Sequence, residues 1–597
     1  MKMGFFKTMF ASAIGFLIAI FLMFTILIIA IISSTGEPEP YVRNNSILKI
    51  ELSGSLPDRP SDNPFDEIFS PGKVQLNLAS LKNNLKKAAA DDRISGIWLE
   101  VEMLGASWPV LEELRAQMLQ FRESGKFIYA STRDMGMNEQ ALYIATAADS
   151  VFAMNDTFVM NSGFYVQGTF FADTFEKFGI DAEVVSGGEF KTAGNSYIRT
   201  DFSEQDNIQL SAILDSFTST YTSALSDFSG KSTAEINAIM NRPPRITSRY
   251  ALEDGLINAL MYPYEVEELI KNRLGVEQDR DLETISFERY SKVTRRSAGL
   301  ERRAPREKIA LIYASGVIIP VEESMIPGTG DPVISAGSFI KTLNEALDDN
   351  DVKAIVIRIN SPGGSGITSD LIWAEIRRAA EKKPVIASMG SMAASGGYYI
   401  AMAADTIVAQ PTTVTGAIGV ISAMLKFGRL MEDQLGIKFD EVKSHQYADW
   451  FSPTRKFTPE EYQALERLNS DFYDVFTQKV AMSRGMSIEE VLPVAGGRVW
   501  SGSDALEAGL VDVLGGIDTA LDIAAAKAGI DQYSVETYPK PKSLIELFSG
   551  SAQAQVKTWV TSIAPMPVRN ALDHADMLRL MQRTEVLTIM PYQIDIR

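Results

Sequence analysis

The sequence predicts a membrane-tethered α/β protein built from two tandem copies of one domain. Three observations carry that prediction. An uncharged apolar run lies near the N-terminus, "YIATAAD" at 143–149 returns as "YIAMAAD" at 399–405, and short β-branched runs alternate with longer amphipathic stretches.

Residues 1–34 are read as a membrane anchor. Met9 to Ile32 contains no charged side chain, and as a helix it is about 36 Å long against a hydrocarbon core of about 30 Å, enough to span with some tilt. A cleaved signal peptide has an apolar region of about 7 to 15 residues and a small-x-small cleavage site. This run is longer and ends "IISSTGEPEP", so the anchor is expected to stay. Lys2 and Lys7 precede it and no basic residue follows until Arg43. The positive-inside rule then puts the N-terminus in the cytoplasm and the remaining chain on the other side.

The first copy is assigned to 47–275 and the second to 308–540. They open with "ILKIELSG" (47–54) and "IALIYASG" (309–316), and "ISGIWLEVE" (94–102) aligns with "VKAIVIRIN" (352–360). "ALEDGL" (251–256) aligns with "ALEAGL" (505–510), at an offset that stays near 256. In the second copy "KIALIYASG", "VKAIVIRIN", "KPVIASMG" and "DTIVAQP" predict buried strands, and "SDLIWAEIRRAAEK" and "GYYIAMAA" predict helices. Apolar strands separated by helices indicate a sheet covered on its faces. The charged, poorly periodic stretch 276–307 is read as a solvated linker. Residues 541–597 form a C-terminal extension whose amphipathic part suggests packing or a membrane surface.

Composition narrows the chemistry. The net charge of −19 argues against a nucleic-acid binder, and the absence of cysteine excludes disulfides, thiolate metal sites and a cysteine nucleophile. Only two histidines occur, His445 and His574. A histidine-built zinc site is therefore not expected, no cofactor is implied, and any Ser-His-Asp triad has to use one of these two.

Differences between the copies locate the candidate site. Ser395, in "SMAASGGYYI", aligns with Glu139, and the glycine-rich "INSPGGSG" (359–366) aligns with "VEMLGASW" (101–108). Only the second copy thus has a serine at a helix start and a glycine turn whose N–H groups suit an oxyanion. A serine needs a base. His445 is one candidate. The other is Lys191 in "VVSGGEFKTAGN", whose counterpart in the second copy is Ala448. Each copy then holds half of one site, joined within a chain or between neighbouring chains.

"NSPGGSG", "SMAASGGYYIAMAADTIVAQPTTVTGAIGV" and "GGEFKTAGN", in a duplicated domain behind an apolar N-terminus, resemble the long form of the signal peptide peptidase A family, also called protease IV. The resemblance runs from the anchor to about residue 540. It implies a Clp protease/crotonase-like fold for each copy, Ser395 as nucleophile and Lys191 as general base. It also implies an oxyanion hole from Gly363 or Gly364 together with Gly396. Phe190 and Thr192 stand where that family more often has tyrosine and serine. The implied substrates are remnant signal peptides and other apolar peptides. The implied setting is a homo-oligomer, a tetramer by resemblance, held in the bacterial inner membrane by residues 9–32 with its catalytic domains on the periplasmic side. Two rival readings are a crotonase-like acyl-CoA enzyme, which would not need Ser395, and a non-catalytic membrane scaffold.

Overall fold

The computed structural model describes residues 39–59, 76–301, 305–320, 333–539 and 587–589, together with Gly15. The span read as the anchor therefore lies outside the described residues save for Gly15, and so does the C-terminal extension save for 587–589. Among the described residues no helix is long and apolar enough to cross a membrane.

In chain order the first half supplies β1 (Ser46–Ser55), β2 (Ile94–Gly105), β3 (Phe127–Ser131), β4 (Ser150–Ala153), β5 (Asp181–Gly187), β6 (Ala259–Leu260) and β7 (Thr284–Ser286). The second half supplies β8 (Lys308–Ser315), β9 (Val317–Ile319), β10 (Val333–Ser335), β11 (Val352–Ser361), β12 (Gly363–Ser365), β13 (Val385–Ala394) and β14 (Thr406–Ala409). It continues with β15 (Val414–Gly416), β16 (Val420–Lys426), β17 (Val499–Ser501), β18 (Val513–Leu514), β19 (Ser534–Tyr538) and β20 (Leu587–Ile589).

The duplication is visible as topology. One sheet runs β6-β4-β3-β2-β1-β7, and the other contains the same sequence of places, β18-β14-β13-β11-β8-β19. Pairing along both paths is parallel. The chain is a tandem α/β protein.

Strand β11 shows why its sequence is a continuous apolar run. Successive side chains point to opposite faces. Ile355, Ile357 and Ile359 share one core with Ile372 and Ile376 of the helix Gly366–Ala380, while Ala354 and Val356 share another with Ala520, Leu521 and Ala524 of the helix Ile517–Ala528. Both faces are covered, so the middle of the strand is apolar on both apart from the ion-paired Arg358.

The stretch read as a solvated linker does more than connect. β7 pairs with β1, and the following turn of helix, Phe287–Ser291, buries Phe287 and Tyr290 completely against the first copy. Ile285, Val293 and Ala298 join these two aromatics in the core, and apolar residues so few among charged neighbours do not register as a period.

A third sheet joins the copies, in the order β10-β9-β12-β20-β16-β5. Its last pair is antiparallel and matches first-copy residues with second-copy ones, from Gly187↔Val420 to Asp181↔Lys426. Asn469, on the helix Pro459–Arg484, fastens both strands: its Nδ2 donates to Val185 O at 2.8 Å and its Oδ1 accepts from Ser422 Oγ at 2.8 Å.

A buried charge network crosses the boundary elsewhere. The Arg358 guanidinium, fully buried on β11, pairs with Asp58 at 2.8 Å and Glu113 at 2.7 Å. Glu113 in turn takes Lys82 at 2.8 Å, and Lys82 reaches Asp518 at 3.1 Å. Burial of such charges is tolerable only because each is paired.

Candidate active site

Ser395 sits at the abrupt junction between β13, which ends at Ala394, and the helix Gly396–Ala401. Its backbone has φ 56 and ψ −113, a conformation rare for a residue with a side chain. Holding it there costs on the order of 1 to 3 kcal/mol. The surrounding hydrogen bonds enforce it, since Ser395 N donates to Gly416 O and Tyr399 N donates to Ser395 O, each at 2.8 Å. The result aims the hydroxyl away from both elements and toward the first copy.

Lys191 arrives from the opposite side. It follows β5, and the β5–β16 pairing carries it across the boundary. Its Nζ lies 2.7 Å from Ser395 Oγ and 3.0 Å from Ala417 O. Lys191 is 2% exposed and Ser395 fully buried. Burial alone pushes the Lys191 amine well below the usual lysine range, because no carboxylate stands near enough to counter it. At its ordinary value a lysine is neutral in only about one molecule in 2,500 at pH 7. The removal of water is what makes this amine available as a proton acceptor.

The other sequence candidates fall in different places. His445 is on the exposed stretch 433–448, where its Nδ1 meets Ser444 Oγ at 3.1 Å, while the base-ready neighbour of Ser395 is Lys191. His574 lies outside the described residues. Ala448, the counterpart of Lys191, is exposed, and Glu139, the counterpart of Ser395, accepts from Ser162 N at 2.9 Å.

Gly363 and Gly364 form β12 beside the serine. A Cβ on Gly364 would stand 2.0 Å from Ile318 O, so no other residue fits there. The Gly363 amide donates to Ser361 Oγ at 3.1 Å. Gly396 opens the helix after Ser395, among the first amides, which have no acceptor within their own helix. Among the described residues no group of three or more His, Asp or Glu is arranged to hold a metal ion.

Two contributors escaped the sequence reading. Ala417 offers only its carbonyl, presented by a backbone at φ 52. Gly497, in "AGGRVW", lies so close that a Cβ would meet Lys191 N and Cβ at 2.5 Å, and its neighbour Gly496 accepts from Phe190 N at 2.7 Å. The paired glycines were the available signal. They look like an ordinary turn because what they accommodate is 300 residues away.

Comparison with known proteins gives the family of the chain. The model of peptidase family S49 matches residues 120–277 and 377–531. The chloroplastic serine protease SPPA of Arabidopsis thaliana is 37% identical over 494 residues, 83% of this chain and 71% of its own. Protease 4 of Salmonella typhi is 30% identical over 88% of this chain and 86% of its own. A putative signal peptide peptidase SppA of Enterococcus faecium is 34% identical over 37% of this chain and 64% of its own.

Proposed function

Because the chain belongs to peptidase family S49 and is a serine peptidase, we propose that Ser395 is its nucleophile and Lys191 its general base, in an endopeptidase that degrades signal peptides left in a membrane. The observation that carries the assignment is the 2.7 Å contact between a buried lysine amine, with no carboxylate partner, and a serine hydroxyl.

The neutral Lys191 amine takes the Ser395 proton as Oγ attacks the peptide carbonyl. Backbone N–H groups of Gly363 or Gly364 and of Gly396 hold the oxyanion. For Gly363 to serve, its bond to Ser361 Oγ has to yield. The Lys191 ammonium returns the proton to the leaving amine, and a water activated by the same lysine then releases the acyl group. Ala417 O keeps Nζ aimed throughout. An acyl-CoA enzyme would have no use for a desolvated lysine against Ser395, and a scaffold would have no use for the strained serine.

Peptide substrates suit the groove. β20 lies between β12 and β16, antiparallel to both, so the slot beside the glycines accepts an extended backbone. Signal peptides are the class named for the Enterococcus relative. Residues 9–32, acting as an anchor in the inner membrane with the domains on the non-cytoplasmic side, would hold the site near apolar peptides. We read 47–275 and 308–540 as two Clp protease/crotonase-like domains.

The repeat supports a homo-oligomer. The joint between copies pairs β5 with β16, yet the equivalent of β5 in the second copy, around 438–444, is exposed without strand structure. Docked on the first copy of a neighbouring chain, it would repeat the joint.

Ser395→Ala and Lys191→Ala, assayed separately on apolar signal-peptide substrates, are each expected to lose at least about a thousandfold in kcat/KM. Full activity in either variant rejects the dyad. Loss of activity in His445→Ala would favour a triad.

A further inference from the structure

Gln209 lies in the first copy on the helix Glu204–Ser229, fully buried, and both ends of its amide are engaged. Its Nε2 donates to Thr192 Oγ1 at 2.9 Å, on the residue that follows Lys191. Its Oε1 accepts from Val499 N at 3.2 Å, on β17 of the second copy. β17 pairs with β15 through Gly416↔Val499, and Gly416 O is the acceptor for Ser395 N. A path of hydrogen bonds and one strand pairing therefore runs from the residue beside the base, through one side chain, to the backbone of the nucleophile.

The chemistry of that side chain is specific. The Thr192 hydroxyl also helps to hold the Asp206 carboxyl, one turn earlier on the helix of Gln209, below the usual range, an orientation that turns its oxygen toward a donor at position 209. Asp206 is itself fixed by Asn195 Nδ2 at 3.0 Å and Ser203 Oγ at 2.6 Å. Position 209 must then donate toward Thr192 and accept from Val499 at once. Only an amide does both. Glutamate would oppose its oxygen to the Thr192 oxygen, and methionine would leave Val499 N without a partner and take from Thr192 its donor.

We propose that Gln209 is a positioning residue for the reaction, setting the separation of Lys191 and Ser395 across the boundary between the copies. The inference rests on the Ser395–Lys191 reading above. Gln209 touches neither reacting atom. It acts by joining the loop that carries the base to the strand that supports the nucleophile. A displacement of about 1 Å at such a pair is enough to lose on the order of a hundredfold in rate.

The test measures kcat, KM and the pH dependence of kcat/KM for full-length Gln209→Met on an apolar peptide. Rates are normalised to the sites labelled at completion by a fluorophosphonate that captures the serine, so that loss of folded protein does not count. The expected result is a fall of about 10- to 100-fold in kcat per labelled site, with KM changed less than about threefold. The acid limb should also move to higher pH, because a loosened seam admits water to Lys191 and restores its basicity. Thr192→Val removes the same bond from its other end and should match it, and the double variant should lose no more than either single one. Should Gln209→Met fail to fold, Thr192→Val decides alone. Unchanged kcat per site and an unmoved acid limb, or losses that multiply in the double variant, overturn the proposal. Activity retained in Lys191→Ala would reject the dyad reading itself, whereas an inactive Lys191→Ala beside a normal Gln209→Met rejects only the role of Gln209.

Discussion

A lysine amine in water keeps its proton to about pH 10.4, and Lys191 is held where it cannot. The consequence for stability has a definite sign. Between its folded and unfolded pKa values the unfolded chain binds the extra proton, so stability rises with pH across that window, and below it the cost is constant and largest. Lys191→Met should therefore be inactive yet melt at a higher temperature than the parent at pH 7, and an equal or lower melting temperature would contradict a desolvated lysine. In the parent, kcat/KM should fall as pH drops through the folded value. Gly497→Ala should cost activity without global unfolding, as its methyl group meets Lys191 N and Cβ at 2.5 Å; parental kcat with normal folding would show that the loop yields freely. Ser395 and Lys191 were legible in the sequence as candidates for one site because each fills a position that the other copy has emptied, and the structure brings them to 2.7 Å. Ala417 and Gly497 were not, since one acts through a carbonyl that every residue has and the other through a missing Cβ.

Among the elements, β5 and β16 decide the site. Neither was singled out as a strand from the sequence, and nothing in "DAEVVSG" names "VISAMLK" as its partner. Strand edges recognise backbone, and backbone is common to all sequences. β20 illustrates the same indifference, because the slot between β12 and β16 takes the backbone of 587–589. A chain ending at residue 586 should leave that slot to substrate and raise kcat/KM on extended peptides several-fold in steady-state assays. An unchanged kcat/KM would mean that peptides enter elsewhere. The stretch 276–307 shows the opposite failure of reading: its charges suggested solvent, while a short strand and a few apolar residues, Phe287 and Tyr290 among them, dock it.

Over the whole molecule, the copies meet through buried polar groups as well as strands. Glu112, on the helix Trp108–Arg122 of the first copy, is enclosed at the boundary, and burial pushes its carboxyl up to about 8 against the lowering effect of Thr412 from the second copy. Folded protein then holds a proton there that unfolded chain releases near pH 4.5. Stability should decline as pH rises from about 5 toward 8, by up to about 1.4 kcal/mol per pH unit for this group. Glu112→Gln should flatten that part of the profile in urea titrations at several pH values. An unaltered slope would place the titration elsewhere.

The sequence by itself determined the duplication and the α/β class, and it nominated Ser395 and Lys191 as candidates for one divided site. Those features rest on side-chain chemistry: buried strands must be apolar on both faces, and a vacated position stands out against its filled counterpart. The tertiary structure alone decided that the two halves meet within one chain and that the lysine is dry. Proximity is set by backbone pairing of β5 with β16, and basicity by what encloses Lys191. Neither is a property of the residue that a sequence names.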